Sequence, residues 1–379
     1  MNQVWITKTA AVTALADNLE TLYSRLIAGQ TAIKLVNRFP VFNYNAKIAA
    51  CIEDLPSSGY QSMLHTLLDY LFADFGVVPA DSFLITASTK SGIDNFERLC
   101  RNIPADSGDI LPSYLPDIIS RRLGLNSKGI NICAACASST IAAARGALLI
   151  ASGRVETVLV CCLDLVTEFV LSGFSSLQAL SPEPCRPFDS ERNGLTLGEG
   201  AAAILLMNEN YARKNRRTCM GRIMGWGVSN DASHITAPAK DGAGLIQAVH
   251  RALKVANLDP EDVAAISAHG TGTRYNDMME LTAFNYLFGD RRFPIHSVKG
   301  AIGHTLGAAG GIEIALCLEM LSKQTLLPTA GFSSPETGTK GRVSSSSMAI
   351  SGDCMLTTNS GFGGVNAAIV LGKGKHTFR

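Results

Sequence analysis

Short apolar runs recur along the chain, and each is bounded by turn residues. This pattern is typical of buried strands in a sheet that is covered on both faces. The predicted strands are residues 82–87, 129–134, 157–163, 201–207, 263–267, 355–358 and 367–371.

Helical patterns lie between these runs. Residues 138–151 are rich in Ala, Leu and Ile, residues 243–256 have apolar positions at helical spacing, and residues 310–323 are apolar nearly all round. The last pattern is typical of a buried helix. Strands that alternate with helices of about a dozen residues predict an α/β fold with a mainly parallel sheet.

A polar and basic stretch, residues 208–218, interrupts the apolar pattern near the middle of the chain. We predict a boundary here, with an N-terminal half of residues 1–208 and a C-terminal half of residues 209–379. The stretch itself is interpreted as a solvated loop, and the alternative is a contact for an acidic partner.

Charge and composition exclude several classes of protein. The 379 residues include 33 Lys and Arg against 32 Asp and Glu, a net charge of +1, which gives no electrostatic footprint for nucleic acid. Hydrophobic residues make up 46% and charged residues 17%, so a disordered chain is excluded. The first residues lack the basic and apolar regions of a secretory signal, and Asn131 and Arg145 interrupt the most apolar window, so we expect no membrane span.

The ten cysteines do not resemble a secreted disulfide framework, and we interpret them as cytoplasmic thiols. Cys133 and Cys136 have C-x-x-C spacing. A zinc site would need a second pair or nearby histidines, and a redox dithiol would need a thioredoxin-like unit. Neither is visible, so no metal is predicted.

Cys136 follows a predicted strand and opens a predicted helix, within Gly-Ile-Asn-Ile-Cys-Ala-Ala-Cys-Ala-Ser-Ser. Unpaired N–H groups and the helix dipole at such a position favour a thiolate. Cys136 is therefore a candidate nucleophile, and the alternative is an inert core cysteine.

Two further segments carry histidines beside glycines. His269 follows the strand at 263–267 in Ala-His-Gly-Thr-Gly-Thr, at the end of a strand where α/β proteins bind ligands. His304 lies five residues after Lys299 in Lys-Gly-Ala-Ile-Gly-His, before the predicted helix at 310–323. The glycines at 307–311 fit neither nucleotide-binding pattern.

A glycine turn between two predicted strands reads Asn-Ser-Gly-Phe-Gly-Gly-Val-Asn, residues 359–366. Its N–H groups could face a developing oxyanion, and the alternative is a plain hairpin turn.

The order of these four segments resembles the β-ketoacyl-acyl-carrier-protein synthases of the thiolase superfamily, in the elongating Cys-His-His branch. The resemblance extends from about residue 131 to residue 371 and includes residues 185–194, 198–200 and 230–238. It implies two similar α/β halves stacked as five α-β-α-β-α layers. The implied function is an acyltransferase that joins an enzyme-bound acyl group to malonyl by decarboxylative Claisen condensation.

The resemblance implies a role for each residue in the catalytic motifs. Cys136 matches the acyl-accepting nucleophile, and His269 and His304 match the histidines that bind the malonyl carbonyl and stabilise the enolate. Lys299 matches the active-site lysine that orders the site. Phe362 matches a gating residue whose N–H forms an oxyanion hole with that of Cys136.

Five more residues match supporting or substrate-binding positions. Thr271 and Thr273 match hydroxyls that hold the phosphopantetheine arm of the carrier protein. Asp277 and Glu280 match acidic support residues, and Glu280 is expected to pair with the active-site lysine. Glu313 matches a carboxylate behind the site, which sometimes acts together with a monovalent cation. No resident cofactor is implied.

The implied partners are an acyl-carrier protein, acyl and malonyl thioesters, and a second synthase subunit. The subunit is either a second copy or a related chain-length factor, bound through a strand near the nucleophile. Carrier proteins are acidic, and the candidate basic contacts near the tunnel mouth are Arg121, Arg122, Lys214, Arg216 and Arg217.

Two departures from the family pattern affect the finer prediction. The usual turn Asn-Ser-Phe-Gly-Phe-Gly-Gly is one residue shorter here and keeps only Phe362, so we expect a gate that closes differently. The region from about residue 40 to 131 is also short, as in the compact synthases of aryl-polyene pathways. Fatty-acid, polyketide and aryl-polyene synthesis remain open.

Two other functions compete with this prediction. A non-catalytic chain-length factor usually lacks the nucleophile, whereas Cys136 is present. A thiolase needs a second late cysteine, and the only late candidate, Cys354, precedes a glycine turn rather than a thiolase-type motif.

Overall fold

The computed structural model describes residues 2–374. Fifteen strands are assigned in this range: β1 Val4–Thr13, β2 Lys34–Leu35, β3 Ile48–Ala50, β4 Phe83–Ala87, β5 Ile130–Ile132, β6 Thr157–Asp164, β7 Leu197–Gly198, β8 Gly200–Asn208, β9 Gly221–Asn230, β10 Ala265–Ser267, β11 Ile295–His296, β12 Thr325–Leu326, β13 Met348–Ala349, β14 Cys354–Gly361 and β15 Val365–Lys373. Eleven α-helices are assigned in the same range: α1 Leu19–Ile27, α2 Met63–Phe72, α3 Ile93–Cys100, α4 Leu115–Leu123, α5 Ser138–Ala151, α6 Glu168–Ser176, α7 Glu209–Lys214, α8 Ala243–Ala256, α9 Arg274–Phe288, α10 Lys299–Ile302 and α11 Ala309–Lys323.

Ten strands form one sheet in the order β11-β10-β14-β15-β9-β1-β8-β6-β4-β5. Its two ends repeat the same pattern: two parallel pairings at the edge, then two antiparallel pairings toward the centre. A short antiparallel contact of β1 with β9 joins these halves. The predicted boundary at residue 208 stays a prediction, although β8 ends at Asn208 and β9 begins at Gly221.

The expectation of a mainly parallel sheet is wrong, because the central strands are antiparallel to their neighbours. The apolar runs could not reveal this difference, since buried parallel and antiparallel strands are both apolar on two faces. The predicted α/β fold with two similar halves is nevertheless correct.

Alternate side chains of one strand point into different layers of the fold. In β6, Val158, Val160 and Cys162 face a core shared with α5 and α11, whereas Leu159 and Cys161 face a core shared with α2 and α4. On the other half, Ala368 and Val370 of β15 face a core shared with α8 and α9. Helices α5 and α11 pack against each other and against strands of both halves. The result is the predicted α-β-α-β-α arrangement.

The predicted helices at 138–151 and 243–256 match α5 and α8 in both bounds, and α11 begins one residue before the predicted helix at 310. The stretch at 208–218 is not a plain loop, because α7 occupies part of it. Asn208 caps α7 by accepting hydrogen bonds from Asn210 N and Tyr211 N. Within residues 2–374, no helix is both long and apolar enough to cross a membrane.

Candidate active site

A cavity of about 580 Å³ lies beside the carboxyl ends of β10 and β14. Its wall includes Cys136, His269 and His304, which come from the two halves of the chain. The cysteine sulfur and one nitrogen of each imidazole all lie within 4.8 Å of one another. The structure therefore brings the three predicted reactive side chains to one point.

Cys136 lies between β5 and α5, directly before the N-cap residue Ala137. Its side chain is buried, and this burial raises the pKa of the thiol to about 11. The charges of Lys299 and Lys90 and the N–H of Phe362 act in the opposite direction but do not overcome it. The sequence-based expectation of a favoured resting thiolate is therefore wrong, since desolvation outweighs the helix terminus.

The turn after β14 packs directly against the nucleophile. A β-carbon on Gly361 would lie 3.1 Å from Cys136 N and 3.2 Å from the oxygen of Ala134. Both contacts are to backbone, which cannot move aside as a flexible side chain does. A side chain at position 361 would therefore require the turn or the nucleophile segment to shift by a few tenths of an ångström.

The tautomer of His269 follows from its neighbour Asn359. The Nδ2 amide of Asn359 donates to Oε2 of Glu313 at 2.8 Å and lies 3.2 Å from Nδ1 of His269. Since an amide nitrogen can only donate, Nδ1 of His269 accepts and its proton resides on Nε2. Asn359 therefore fixes the orientation of the imidazole.

The tautomer of His304 is fixed in the same way by backbone. The N–H of Leu306 donates to Nδ1 of His304 at 3.2 Å, which places the ring proton on Nε2. This Nε2 is buried without a hydrogen-bond partner in residues 2–374. Burial, followed by the charge of Lys299, lowers the pKa of both His269 and His304 well below the usual value. Both are neutral N–H donors, and their rings meet edge to face at 5.1 Å.

Lys299 is buried and pairs with Glu313 at 2.5 Å from Nζ to Oε1. It also donates to the carbonyl oxygen of His269. The prediction that Lys299 pairs with Glu280 is wrong. Glu280 instead accepts from His269 N at 2.7 Å and from Gly270 N at 2.6 Å, so its two carboxyl oxygens hold the histidine loop.

Burial, with the nearby charge of Asp277, raises the pKa of Glu280 to about 7. Asp277 is itself buried and accepts from Thr271 N at 3.0 Å and from Phe188 N at 2.8 Å. The hydroxyls of Thr271 and Thr273 lie 2.9 Å apart, and both residues line the cavity. Asp277 and Glu280 therefore shape the loop that presents the two hydroxyls.

Phe362 also lines the cavity, and its ring stacks on that of Phe174 at 5.9 Å between centroids. The two rings come from the turn after β14 and from α6, so they join the two halves at the cavity wall. The expected gating role of Phe362 stays a prediction.

Comparisons with known proteins agree with this arrangement. "Beta-ketoacyl synthase, N-terminal domain" matches residues 86–212, and "Beta-ketoacyl synthase, C-terminal domain" matches residues 220–333. The 3-oxoacyl-[acyl-carrier-protein] synthase 2 of Rhizobium meliloti strain 1021 is 30% identical over 98% of this chain and 99% of its own length. The chain belongs to the β-ketoacyl synthase family.

Solved structures of β-ketoacyl synthases share the whole fold. A β-ketoacyl synthase from Burkholderia phymatum STM815 superposes with a TM-score of 0.88, with 26% identity and 98% and 100% coverage of the two chains. The ishigamide ketosynthase/chain length factor gives a TM-score of 0.89, with 25% identity and 98% and 99% coverage. The thiolase-like fold and the condensing-enzyme class predicted from sequence are confirmed.

The sequence interpretation missed two polar residues that organise this synthase site. Asn359 was part of a recognised turn, but its contacts to His269 and Glu313 come from distant elements. Asp164 is buried and accepts from Thr89 N at 3.0 Å and from Gly307 N at 2.7 Å. A carboxylate directly after the apolar run 157–163 was the available signal.

The sulfur and two imidazoles also have the spacing of a metal site. However, metal binding needs a lone pair on each ligating nitrogen, and Nε2 of both His269 and His304 carries the proton. Moving that proton to Nδ1 would oppose the N–H donors of Asn359 and Leu306. The donor set therefore fits a carbonyl or enolate oxygen better than a cation.

The predicted basic residues do not reach the cavity of the synthase. Arg121 pairs with Asp117 at 2.5 Å, and Arg217 donates to the oxygen of Val77 at 3.2 Å. None of Arg121, Arg122, Lys214, Arg216 and Arg217 is part of the cavity wall, whereas Arg274, at the start of α9, is. The positive charge among the cavity-lining residues therefore comes from Arg274, which was not selected from the sequence.

Proposed function

We propose that this β-ketoacyl synthase takes an acyl group from an acyl-carrier protein onto Cys136 and condenses it with malonyl on a second carrier. The observation that carries the proposal is the pair of neutral imidazoles of His269 and His304, each protonated on Nε2 and each with one ring nitrogen within 4.8 Å of the sulfur of Cys136. Such donors stabilise an oxygen that gains negative charge.

In the first step, the sulfur of Cys136 attacks the acyl thioester carbon, and the carrier thiol leaves with the proton that the cysteine gives up. The step is neutral overall, so a resting thiol with a high pKa is compatible with it. The N–H groups of Cys136 and Phe362 are proposed to hold the oxyanion. The position of the Phe362 N–H against the cysteine thiol supports this assignment.

In the second step, the thioester oxygen of malonyl accepts hydrogen bonds from His269 and His304. The bond to the carboxylate breaks, carbon dioxide leaves, and the electron pair becomes an enolate. The enolate carbon then attacks the acyl carbon on Cys136, forms the new carbon–carbon bond and releases the cysteine thiolate, which takes up a proton from water. Lys299 is proposed to keep both histidines neutral and its loop in place.

The carrier arm is proposed to enter beside Thr271 and Thr273, whose hydroxyls line the cavity. The group on the arm is phosphopantetheine, and no resident cofactor is proposed. A monovalent cation at Glu313 stays a prediction; the two oxygens of Glu313 already bind Lys299 and Asn359.

A second synthase subunit is proposed as a partner, either an identical chain or a chain-length factor. The resemblance to the ishigamide ketosynthase/chain length factor supports this partner class. The edge position of β5, whose Ile130 is exposed, supports binding through the strand beside the nucleophile. A cytoplasmic location is proposed because Cys161, Cys162 and Cys317 are buried free thiols.

Purified protein incubated with acyl carrier and malonyl carrier tests the proposal. We expect a 3-oxoacyl carrier two carbons longer than the donor, one carbon dioxide per product, and an acylated peptide that contains Cys136. Product formation by the Cys136→Ala variant, or absence of any acyl adduct in the parent protein, would contradict it.

A further inference from the structure

Thr140 lies in the first turn of α5, four residues after Cys136, and its side chain is fully buried. Its Oγ1 hydroxyl donates a hydrogen bond to Oδ1 of Asn359, which belongs to β14. The bond therefore connects the helix that follows the nucleophile to the strand whose amide group faces His269.

The Asn359 amide is held on both of its sides. Its Nδ2 donates to Oε2 of Glu313 at 2.8 Å, and the other oxygen of Glu313 binds the ammonium of Lys299. A carboxylate can only accept, so the nitrogen of the amide faces Glu313 and the oxygen faces Thr140. Among residues 2–374, no second donor reaches that oxygen. The Thr140 hydroxyl is thus the protein donor that satisfies it.

Helix α11 leaves space for this contact at Gly310. A β-carbon on Gly310 would lie 1.9 Å from Oγ1 of Thr140 and 2.7 Å from Oδ1 of Asn359. The hydroxyl and the amide oxygen therefore meet in a place enclosed by α5, α11 and β14. Because Asn359 is fully buried, loss of the hydroxyl would leave its oxygen unpaired inside the protein.

The orientation of this amide determines which nitrogen of His269 carries the proton. Nδ2 of Asn359 lies 3.2 Å from Nδ1 of His269, so Nδ1 accepts and the proton resides on Nε2. An amide whose oxygen and nitrogen exchanged places would present an acceptor to Nδ1. It would favour the other tautomer, which has no proton on Nε2 to donate to an oxyanion.

We propose that Thr140 is a positioning residue, which holds the Asn359 amide so that His269 presents its Nε2 proton to the malonyl thioester. The effect on malonyl rests on the proposed function, whereas the effect on the tautomer does not. Thr140→Val removes the hydroxyl and leaves the amide less strongly held. Thr140→Ser retains the hydroxyl and should therefore behave like the parent.

NMR of protein labelled with heavy-nitrogen histidine measures the tautomer directly, because protonated and unprotonated ring nitrogens have well-separated chemical shifts. The chain has seven histidines, and His269→Ala identifies the signals of His269. We expect an unprotonated Nδ1 in the parent and in Thr140→Ser, and a measurable fraction protonated on Nδ1 in Thr140→Val. Thr140→Ala also lacks the hydroxyl and adds no methyl to the crowded contact, so it should shift in the same direction and replaces Thr140→Val if that protein does not fold.

Malonyl decarboxylation provides a second readout. We expect Thr140→Val to release carbon dioxide from malonyl carrier about tenfold more slowly than the parent, with the loss in kcat rather than in KM. Acyl loading of Cys136 should stay near the parent rate, because the proposed loading step does not use His269. Thr140→Ser should restore decarboxylation.

Ser139 offers a matched control on the same helix. Its Oγ accepts from Gly311 N at 2.9 Å, so Ser139→Ala removes another buried hydrogen bond between α5 and α11 without affecting the amide of Asn359. This variant should keep the parent tautomer and decarboxylation rate. An unchanged His269 tautomer in Thr140→Val and Thr140→Ala, or equal losses of decarboxylation in Thr140→Val and Ser139→Ala, would overturn the proposal. A parent protein with the Nε2 proton on His269 but no decarboxylation would contradict the proposed function instead.

Discussion

Lys299 and Glu313 form an ion pair of 2.5 Å directly behind the two histidines, and both side chains are almost fully buried. The remaining oxygen of Glu313 accepts from Asn359, and the lysine also donates to the carbonyl of His269. The pair therefore connects α10 and α11 to the loop after β10. Each buried charge is compensated by the other, so removing one partner alone leaves an unpaired buried charge and lowers the stability of the fold.

We expect Glu313→Gln to destabilise the protein by about 3–5 kcal/mol, the usual effect of leaving one buried charge without its partner. Lys299→Met should have a similar effect. The double variant should lose less than the sum of the two, because it leaves no uncompensated charge. Free energies of unfolding from denaturant titration measure this cycle. Simple additivity would show that the two side chains do not interact.

Gly361 offers a second prediction. Gly361→Ala places a β-carbon about 3.1 Å from the backbone nitrogen of Cys136, so the turn or the nucleophile must shift. Small displacements at a reacting centre lower rates steeply, and we expect acyl loading to fall by about tenfold or more. Gly173→Ala is the control, since a β-carbon there meets nothing within 4 Å. Equal loading by both variants would mean that the close approach has no effect on the reaction.

The sequence was sufficient to predict α5, α8 and α11, since their apolar patterns are continuous and the segments are flanked by turn residues. It did not reveal β9, whose glycines lower the strand signal. Gly225 and Gly227 are needed because a β-carbon on either would lie 2.0 Å from a carbonyl oxygen of α8. The glycines of β9 are therefore required by the close packing of α8 against this strand, and a local sequence pattern does not reveal that packing.

The candidate site was also predictable from local sequence in part only. Local motifs were sufficient to select Cys136, His269, His304 and Lys299, because Cys136 lies between a strand and a helix and each of the other three lies next to a glycine. The partner of Lys299 was not predictable from spacing, since Glu280 and Glu313 are both acidic residues, one on the helix before Lys299 and one on a helix after it. Only the three-dimensional packing assigns Glu280 to the backbone of the His269 loop and Glu313 to the lysine.

The pH dependence of alkylation shows whether burial or the helix N-terminus has the larger effect on the pKa of the Cys136 thiol. Burial raises the thiol pKa to about 11, so the thiolate is a small fraction at neutral pH and grows as the pH rises. We expect the rate of iodoacetamide modification of the Cys136 peptide to increase about tenfold per unit between about pH 7 and about pH 9.5. A plateau below about pH 8 would show that the helix terminus dominates. The Cys136→Ala protein identifies the peptide.

Charge at the cavity mouth leads to a prediction about the carrier. Arg274→Ala should raise the KM for carrier-bound substrate severalfold, because Arg274 lines the mouth, whereas Arg121→Ala should not, because Arg121 lies on α4 and pairs with Asp117. The difference should shrink between about 0.05 M and about 0.5 M salt, as the screening length falls from roughly 14 to roughly 4 Å. Matching KM values for the two variants would rule out the mouth arginine as a carrier contact.

We expect substitutions of Cys136 and His304 to affect different steps of the reaction. Cys136 holds the acyl group, whereas the Nε2–H groups of His304 and His269 polarise the malonyl thioester. Cys136→Ala should therefore abolish acyl transfer and condensation while malonyl decarboxylation remains measurable. His304→Ala removes one oxyanion donor, which typically lowers a rate by about 10²–10³-fold.

The His304→Ala protein should still become acylated, because the sulfur of Cys136 and the N–H groups of Cys136 and Phe362 remain in place. Carbon dioxide release from malonyl carrier and the mass of the acylated protein measure the two steps independently. His304→Ala that decarboxylates at the parent rate would contradict the role given to the imidazole. Condensation by Cys136→Ala would contradict the role given to the sulfur, since no other thiol of the described chain lines the cavity.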